Sequence, residues 1–346
     1  MVSDRLGPRR VVAVSGLLMG AGLAIAARAE SVAVFGVSLA LIFGIAVSGS
    51  SFVVVIGAVG KAVPMSRQSF AFGLITAGAS VGMFVMVPIA QGLIDAFGWR
   101  GAMGFLGVVA VLVIGGASRL LPADDAGNAP PTSTDAALES MTDAVRRAFG
   151  NRSYVLLTAG FFVCGFHVAF IAAHLPAYLT DEGLSDRTAA IALSMVGLFN
   201  IAGSLGAGWL GDRYRRRTLL AGLYLSRAIV MTAFLVVPLT GTTAIVFGAV
   251  MGILWLSTVP LTSGLVAAMY GPRYLSSLFG LVFLSHQIGA FLGVWLGGRI
   301  FDTTGSYDPV WAVAVALGVI AAAIHIPIAV GDDRSPAPSM LSLIHI

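Results

Sequence analysis

Ten runs of roughly 20 apolar residues, each closed by a charge or a turn residue, leave this chain few ways to fold outside a lipid bilayer. They cover approximately residues 11–27, 32–58, 68–94, 101–120, 153–178, 188–210, 218–238, 243–268, 275–298 and 309–329. The interruptions carry turn and charge punctuation: Arg28 with Glu30, Lys61 with Pro64, Asp95 with Gly98, Asp181 to Arg187, Gly241, Gly271 with Pro272, and Asp302 to Pro309. In lipid every backbone polar group must be satisfied within the protein, and runs of this length do so as helices. Composition points the same way, with 58% hydrophobic and 10% charged residues among 346, where a soluble domain carries about 25% charged. So few charged side chains cannot solvate a globule of this size. A nucleic-acid-binding domain, a disordered chain and an ordinary cytosolic enzyme are excluded. The expected fold class is an all-α integral membrane protein.

The placement of basic residues predicts an orientation. With the N-terminus in the cytoplasm, the inner segments hold Arg5, Arg9, Arg10, Lys61, Arg67, Arg119, Arg146, Arg147, Arg152, Arg213, Arg215, Arg216, Arg217, Arg273 and Arg334. The outer loops then hold only Arg28, Arg100, Arg187 and Arg299. Basic residues collect on the cytoplasmic side, so both visible termini are expected there, in a plasma membrane of bacterial inner-membrane type. The single cysteine, Cys164, provides neither a disulfide framework nor a cysteine-based metal cluster.

One long polar stretch divides the spans four and six. It begins with Pro122, Asp124, Asp125 and the pair Pro130-Pro131. The expected organisation is an N-terminal bundle over 1–120, a cytoplasmic linker over 121–152, a six-helix C-terminal bundle over 153–330 and a tail over 331–346. From Thr134 to Phe149, Leu138, Met141, Val145 and Phe149 recur at helical spacing, as in an amphipathic helix under the membrane face; a loop without fixed structure is the alternative.

Two segments repeat one pattern, an Asp-Arg followed by a basic cluster: Asp4-Arg5-Leu6-Gly7-Pro8-Arg9-Arg10, and Gly208-Trp209-Leu210-Gly211-Asp212-Arg213-Tyr214-Arg215-Arg216-Arg217. This resembles the major facilitator superfamily loop signature Gly-x-Leu-x-Asp-Arg-x-Gly-Arg-Arg. The second copy has Arg215 where the family has Gly, and the first lacks the leading Gly and has Pro8 at a basic place. The resemblance implies two pseudo-symmetric six-helix bundles. Because the first copy has no helices before it, about ten of twelve spans are expected here, with two absent N-terminal ones. At the other end, Leu341 to Ile346 resembles a translated transposon adapter and is set apart from the fold.

A narrower resemblance lies in the third span. Arg67-x-x-Phe70-Ala71-x-Gly73-x-x-x-Ala77-Gly78-x-x-x-Gly82 is similar to the monocarboxylate-transporter signature, with Phe70 for Leu and Ile75 for Ala. The form of the first loop, the turn Phe97-Gly98-Trp99-Arg100 and the segment Phe279 to Tyr307 are also similar to bacterial members of that group and to the oxalate/formate antiporters.

All 16 acidic residues fall in predicted loops or at interfaces, so no carboxylate is in view as an intramembrane proton carrier, which favours an anionic or neutral cargo. The polar residues within spans are Arg227, His167, His174, His286, Gln287 and Asn200, with hydroxyls around Pro260. A charge at membrane depth costs roughly 2.5 to 3.5 kcal/mol on insertion scales, so Arg227 should face a cavity or a partner. Its planar fork of donors suits a carboxylate, and the resemblance implies an anion-anchoring arginine in the C-terminal half. A fixed network to carbonyls, or to a carboxylate from the absent spans, is the other reading. His167 and His174 share a helix face but stand roughly 10.5 Å apart along the axis, too far to ligate one metal ion. They line a pathway and take part in proton coupling, or each is neutral and bonded to a neighbouring helix; His286 beside Gln287 has the same two readings.

Pro260, flanked by Ser257, Thr258, Thr262 and Ser263, is a hinge, a cavity wall or a packing kink. The ladders Gly289, Gly293, Gly297 and Gly78, Gly82 recur every four residues and are read as helix packing. Asp4, Arg5, Asp212 and Arg213 are candidate gating residues. The resemblance implies that the Asp meets a neighbouring helix N-terminus while the arginines bridge bundles; topology determination alone is the plainer role.

The reading that follows is a monomeric secondary active transporter of small organic anions, working by alternating access with proton or counter-anion coupling. No cofactor or metal is implied, and no nucleotide-binding Gly-x-x-x-x-Gly-Lys-Ser/Thr is present. The rivals are efflux of amphipathic drug-like compounds, a membrane-embedded enzyme built on His167 and His174, and a non-transporting receptor.

Overall fold

The computed structural model describes residues 6–121 and 140–330, and among these ten helices are long and apolar enough to cross a bilayer. Asp4 and Arg5, most of the linker and the tail lie outside the described residues. The spans are α1 (Pro8–Ala27), α2 (Val32–Ala62), α3 (Met65–Met86) and α4 (Gly92–Leu120), then α6 (Arg152–Asp181), α7 (Asp186–Gly211), α8 (Arg216–Val236), α9 (Gly241–Tyr270), α10 (Leu275–Thr304) and α11 (Asp308–His325). Between α4 and α6 lies the short helix α5 (Met141–Gly150).

Helix boundaries follow from side chains that satisfy the free N–H groups of a first turn. Ser140 opens α5 by accepting the Asp143 N–H at 3.2 Å, Asn151 opens α6 by accepting that of Ser153 at 2.9 Å, and Ser185 opens α7 through Thr188 at 3.2 Å. Thr240 and Thr243 form a reciprocal capping box at α9. α3 and α4 belong to one helical run, Gln68–Ala117, which turns at Gly98, where φ is 66°. α5 buries Ala144 and Ala148, half-buries Met141 and Val145, and leaves Phe149 exposed with its ring 5.6 Å from that of Tyr154; Leu138 lies outside the described residues.

Two compact units divide the chain. One comprises residues up to Ala62 with Gly82–Ala144 and Pro272–Ser277; the other comprises Val63–Val81, Val145–Gly271 and the residues from Leu278 on. The first half of α3 therefore packs with the C-terminal helices. Within the first unit α1 lies on α4 at Gly16, where an added Cβ would come 3.1 Å from the Gly115 nitrogen, and Arg100 on α4 donates to the Ala29 carbonyl at 3.0 Å.

The second unit has a core of Phe170, Tyr178, Phe234, Phe247 and Trp311, drawn from α6, α8, α9 and α11. Glycines set how closely its helices approach. A Cβ on Gly289 or Gly293 of α10 would lie 2.0 or 2.5 Å from a carbonyl oxygen of α6, and one on Gly297 would lie 2.5 Å from the His174 ring. That ladder packs as its spacing predicted. The other does not: a Cβ at Gly78 or Gly82 meets nothing within 4 Å. Four-residue spacing puts glycines on one face of a helix but does not put another helix against that face.

α9 is one apolar run in the sequence and two helices in the structure, Gly241–Leu254 and Thr258–Tyr270. The interruption lies over Trp255, Leu256 and Ser257, one turn before Pro260. Pro260 falls in the first turn of the second half, where a missing N–H leaves no intrahelical bond unmade.

Candidate functional site

A helix that stops inside a membrane leaves carbonyls and N–H groups that need other partners. At the α9 interruption Ser257 Oγ donates to the Ile253 carbonyl, and two side chains from other helices supply further partners. Arg227 on α8, fully buried, donates from Nε to the Leu254 oxygen at 3.0 Å and from Nη2 to the same oxygen at 2.5 Å, and Nη2 also donates to the Trp255 carbonyl. From the other side Asn200 on α7 accepts the Leu256 N–H at 2.9 Å through Oδ1 and donates through Nδ2 to Ser80 Oγ at 2.6 Å. Ser204 adds a bond to Asn200 Oδ1 at 3.2 Å. A hydrogen-bonded line thus runs from α3 through α7 to the broken helix and on to α8.

Arg227 keeps something in reserve. Its Nη1 is buried without a partner, and no carboxylate among the described residues pairs with the guanidinium. Around it stand polar groups from several helices. The guanidinium lies 5.4 Å over the Tyr224 ring, whose hydroxyl is also buried and unpartnered. Cys164 on α6 contacts Thr258 Oγ1 at 3.1 Å and, with His167, lies close enough to interact electrostatically with Arg227. His286 on α10 bonds Gln287 Oε1 through Nδ1 at 3.1 Å, and its Nε2 has no partner. Buried polar atoms are nearly always satisfied, so this unpartnered set marks where a polar guest or water would find partners.

The sequence candidates therefore separate. Arg227, His167 and His286 converge on the interior of the second unit, and Asn200 lies across the α9 interruption from Arg227. His167 donates from Nε2 to the Ala314 carbonyl of α11 at 2.8 Å, a bond that makes its buried, unpartnered Nδ1 an acceptor. His174 reaches a different helix, with Nε2 2.9 Å from the Val294 carbonyl of α10 and Tyr307 beside its ring. Gln287 is exposed. Tyr224 and Ser80 did not stand out in the sequence, whereas Cys164 lies one turn before His167 on the same polar stripe and Thr258 flanks Pro260. Tyr224 was within reach of the sequence, since it stands three residues before Arg227 and hence on the same helix face.

The second loop motif makes its own constellation. The Asp212 carboxylate accepts the N–H groups of Ser69 and Phe70, each at 2.9 Å, in the first turn of the helical run that begins at Gln68. Burial raises the Asp212 pKa above the ordinary carboxylate value, while the N–H groups of Phe70 and Ser69 and the nearby Arg216 pull it back. Gly208 permits this approach, because a Cβ there would lie 2.5 Å from the Ser69 oxygen. The arginine that spans the junction is Arg216, buried, with Nε donating to Ser69 Oγ at 2.8 Å and Nη2 3.7 Å from Asp212. Arg213 is exposed and stays on its own helix, donating to the Trp209 carbonyl at 3.2 Å with its guanidinium 3.9 Å over the Trp209 ring. Both carry the same charge in the motif, and only packing separates their roles.

A bundle of bilayer-length helices with an interrupted span and a buried cation is an architecture that membrane transport proteins use. The chain belongs to the Major Facilitator Superfamily, whose family model matches residues 1–294 and 183–341. It is 28% identical to monocarboxylate transporter 12 of Rattus norvegicus over 89% of this chain and 68% of that one. It is 26% identical to the uncharacterized MFS-type transporter YcxA of Bacillus subtilis over 93% of this chain and 79% of that one. Among solved structures, the E. coli fucose:proton symporter FucP superposes with a TM-score of 0.71 at 18% identity, covering 94% of this chain and 85% of that one. The proton:xylose symporter XylE gives 0.71 at 13% identity, with 96% and 82% covered. The fold expectation holds, and the likeness to monocarboxylate transporters extends over most of the chain.

Proposed function

We propose that this transporter is a secondary active carrier of small, monocarboxylate-like organic anions, working by alternating access between a bundle within 1–120 and one within 153–330, with proton or counter-anion coupling. The observation that carries the reading is Arg227: a buried guanidinium without a carboxylate partner among the described residues and with Nη1 free to donate. A carboxylate entering the interior of the second unit would supply both the missing charge and the missing acceptor. Monocarboxylate transporter 12 and monocarboxylate transporter 13 among the relatives support the same cargo class. Asn200 and His286 are further contacts proposed around that guest. His167, whose free Nδ1 accepts, would reach it through a shared proton or a bridging water, and His174 and Gln287 are proposed along its route. Asp212, with Arg216 across the junction in place of Arg213, which stays on its own helix, is one proposed gating pair, and Asp4 with Arg5 is the other. The carrier is proposed to act as a monomer in a bacterial inner membrane.

The test is uptake of labelled lactate, pyruvate and oxalate into proteoliposomes of the intact protein under an imposed proton or anion gradient. Gradient-dependent uptake that Arg227→Lys reduces while the protein stays folded is the expected result. Absence of uptake for all three, with export of an amphipathic dye unaffected by Arg227→Lys, would give the cargo to the efflux reading instead.

A further inference from the structure

Between α7, α8 and α9 the second unit contains a partly open cavity of about 350 Å3 with a mostly apolar wall. Gly203, Gly206 and Leu210 of α7, Gly222 and Leu223 of α8 and Ile253 of α9 line it. Gly206, Gly222 and Ile253 are exposed, so the cavity opens sideways between spans, where the surrounding medium is hydrocarbon. Its glycines are of two kinds. A Cβ at Gly203 would lie 2.0 Å from the Ile253 oxygen, so that glycine is required by packing. At Gly206 and Gly222 a Cβ meets nothing within 4 Å. No neighbouring helix needs those two, and their effect is to keep the slot open.

One end of the slot is charged. Leu210 and Thr218 border it, and between them runs the loop with Arg213 and Arg215, both exposed. The acidic residue of that loop does not cancel them: the Asp212 carboxylate is taken up by the Ser69 and Phe70 N–H groups and by Arg216. Trp209 and Tyr214, 46% and 57% exposed, stand at the same end, as aromatic residues do at headgroup depth. Arg213 lies over the Trp209 ring, and neither cation is held by a carboxylate among the described residues. An apolar slot ending in two exposed cations and two interfacial rings matches an amphiphile with an anionic head and a hydrocarbon tail.

We propose that this groove binds an anionic phospholipid, with one acyl chain between α7 and α8 and the phosphate on Arg213 and Arg215. The site is separate from the interior around Arg227 and does not depend on the identity of the cargo.

Native mass spectrometry of the intact protein, released from micelles containing equal phosphatidylglycerol and phosphatidylcholine, tests it. The expected result is retention of phosphatidylglycerol in preference to phosphatidylcholine. Arg215→Gln should lower that preference about fivefold, since a cation near the surface contributes that much to anionic-lipid affinity. Gly222→Leu should fill the slot and abolish retention of both lipids without lowering the melting temperature; if that variant does not fold, Gly206→Val tests the opposite wall. Equal retention of the two lipids by the unmodified protein would overturn the proposal. So would unchanged retention in the slot-filling variant, or displacement by a cationic drug-like compound with Arg215→Gln making no difference.

Discussion

At Arg227 the side chain closes off carbonyls that the interruption of α9 sets free, and one nitrogen is left over. Removing it should therefore be felt in the fold as well as in transport. Arg227→Met leaves the Leu254 and Trp255 carbonyls buried without that donor, a loss of about 3 kcal/mol that a melting experiment in detergent would register. Arg227→Lys keeps the charge but not the planar fork, and a smaller fall is expected. Equal melting temperatures for all three proteins would mean that the interruption does not lean on this residue. Asp212 carries the pH dependence. Burial raises its pKa in the folded state above the unfolded value, so the folded protein binds this proton more tightly. Its contribution to stability is full below the unfolded pKa and is lost as pH rises through the folded one. The melting temperature of the unmodified protein relative to Asp212→Asn should accordingly rise as pH falls from neutral toward 4; a constant gap would contradict the assignment. Residue chemistry was readable in advance for both positions, since a charge in an apolar run and an Asp in a loop motif announce themselves. The kind of partner was readable as well, a neighbouring helix N-terminus for Asp212 and carbonyls as one reading of Arg227. Which residues supply it was not, because Leu254, Trp255 and Ser69 offer mainly backbone atoms and a small hydroxyl, which carry no sequence signal.

The helices show where periodicity is sufficient and where it stops. Span existence rests on length and hydropathy alone, and all ten runs form helices among the described residues. The interruption in α9 is different, because Trp255 and Leu256 are as apolar as their neighbours and the break is stabilised from outside by Arg227 and Asn200. The glycine ladders repeat the lesson. Gly289 and Gly78 sit in similar spacing patterns, yet an added Cβ meets the Phe162 oxygen at 2.0 Å in one case and open space in the other. Gly289→Ala should thus destabilise by roughly 1–3 kcal/mol through overpacking, and Gly78→Ala should be neutral or slightly stabilising. Matching melting temperatures for the two variants would show that α6 and α10 do not meet as closely as described.

At the scale of the molecule, orientation rests on the basic residues, which the superfamily fold itself does not decide. We propose from the positive-inside bias that Arg215 is cytoplasmic and Glu182 on the opposite side. In a Cys164→Ser background, Arg215→Cys should react with an impermeant maleimide only from the cytoplasmic face and Glu182→Cys only from the other. Labelling of both from one side, or in the reverse sense, would refute the topology. The fold class was open to view in the sequence because a bilayer admits so few solutions for apolar runs of this length. The functional interior was partly open to view, because Arg227, His167 and His286 stand out chemically in their spans while their convergence depends on how five helices pack.

What the amino-acid order determined without help is that this chain enters a membrane as helices and repeats an Asp-Arg junction motif, since hydrophobic length and local charge act within one segment. Pro260 marks the eighth span as one that can break, but tertiary structure alone decided which arginine of that motif is buried, which residues satisfy the break and which glycines touch a neighbour. Those outcomes depend on atoms brought together from segments far apart in the chain, such as Ser69 against Asp212 and Leu254 against Arg227, and no local pattern encodes such a meeting.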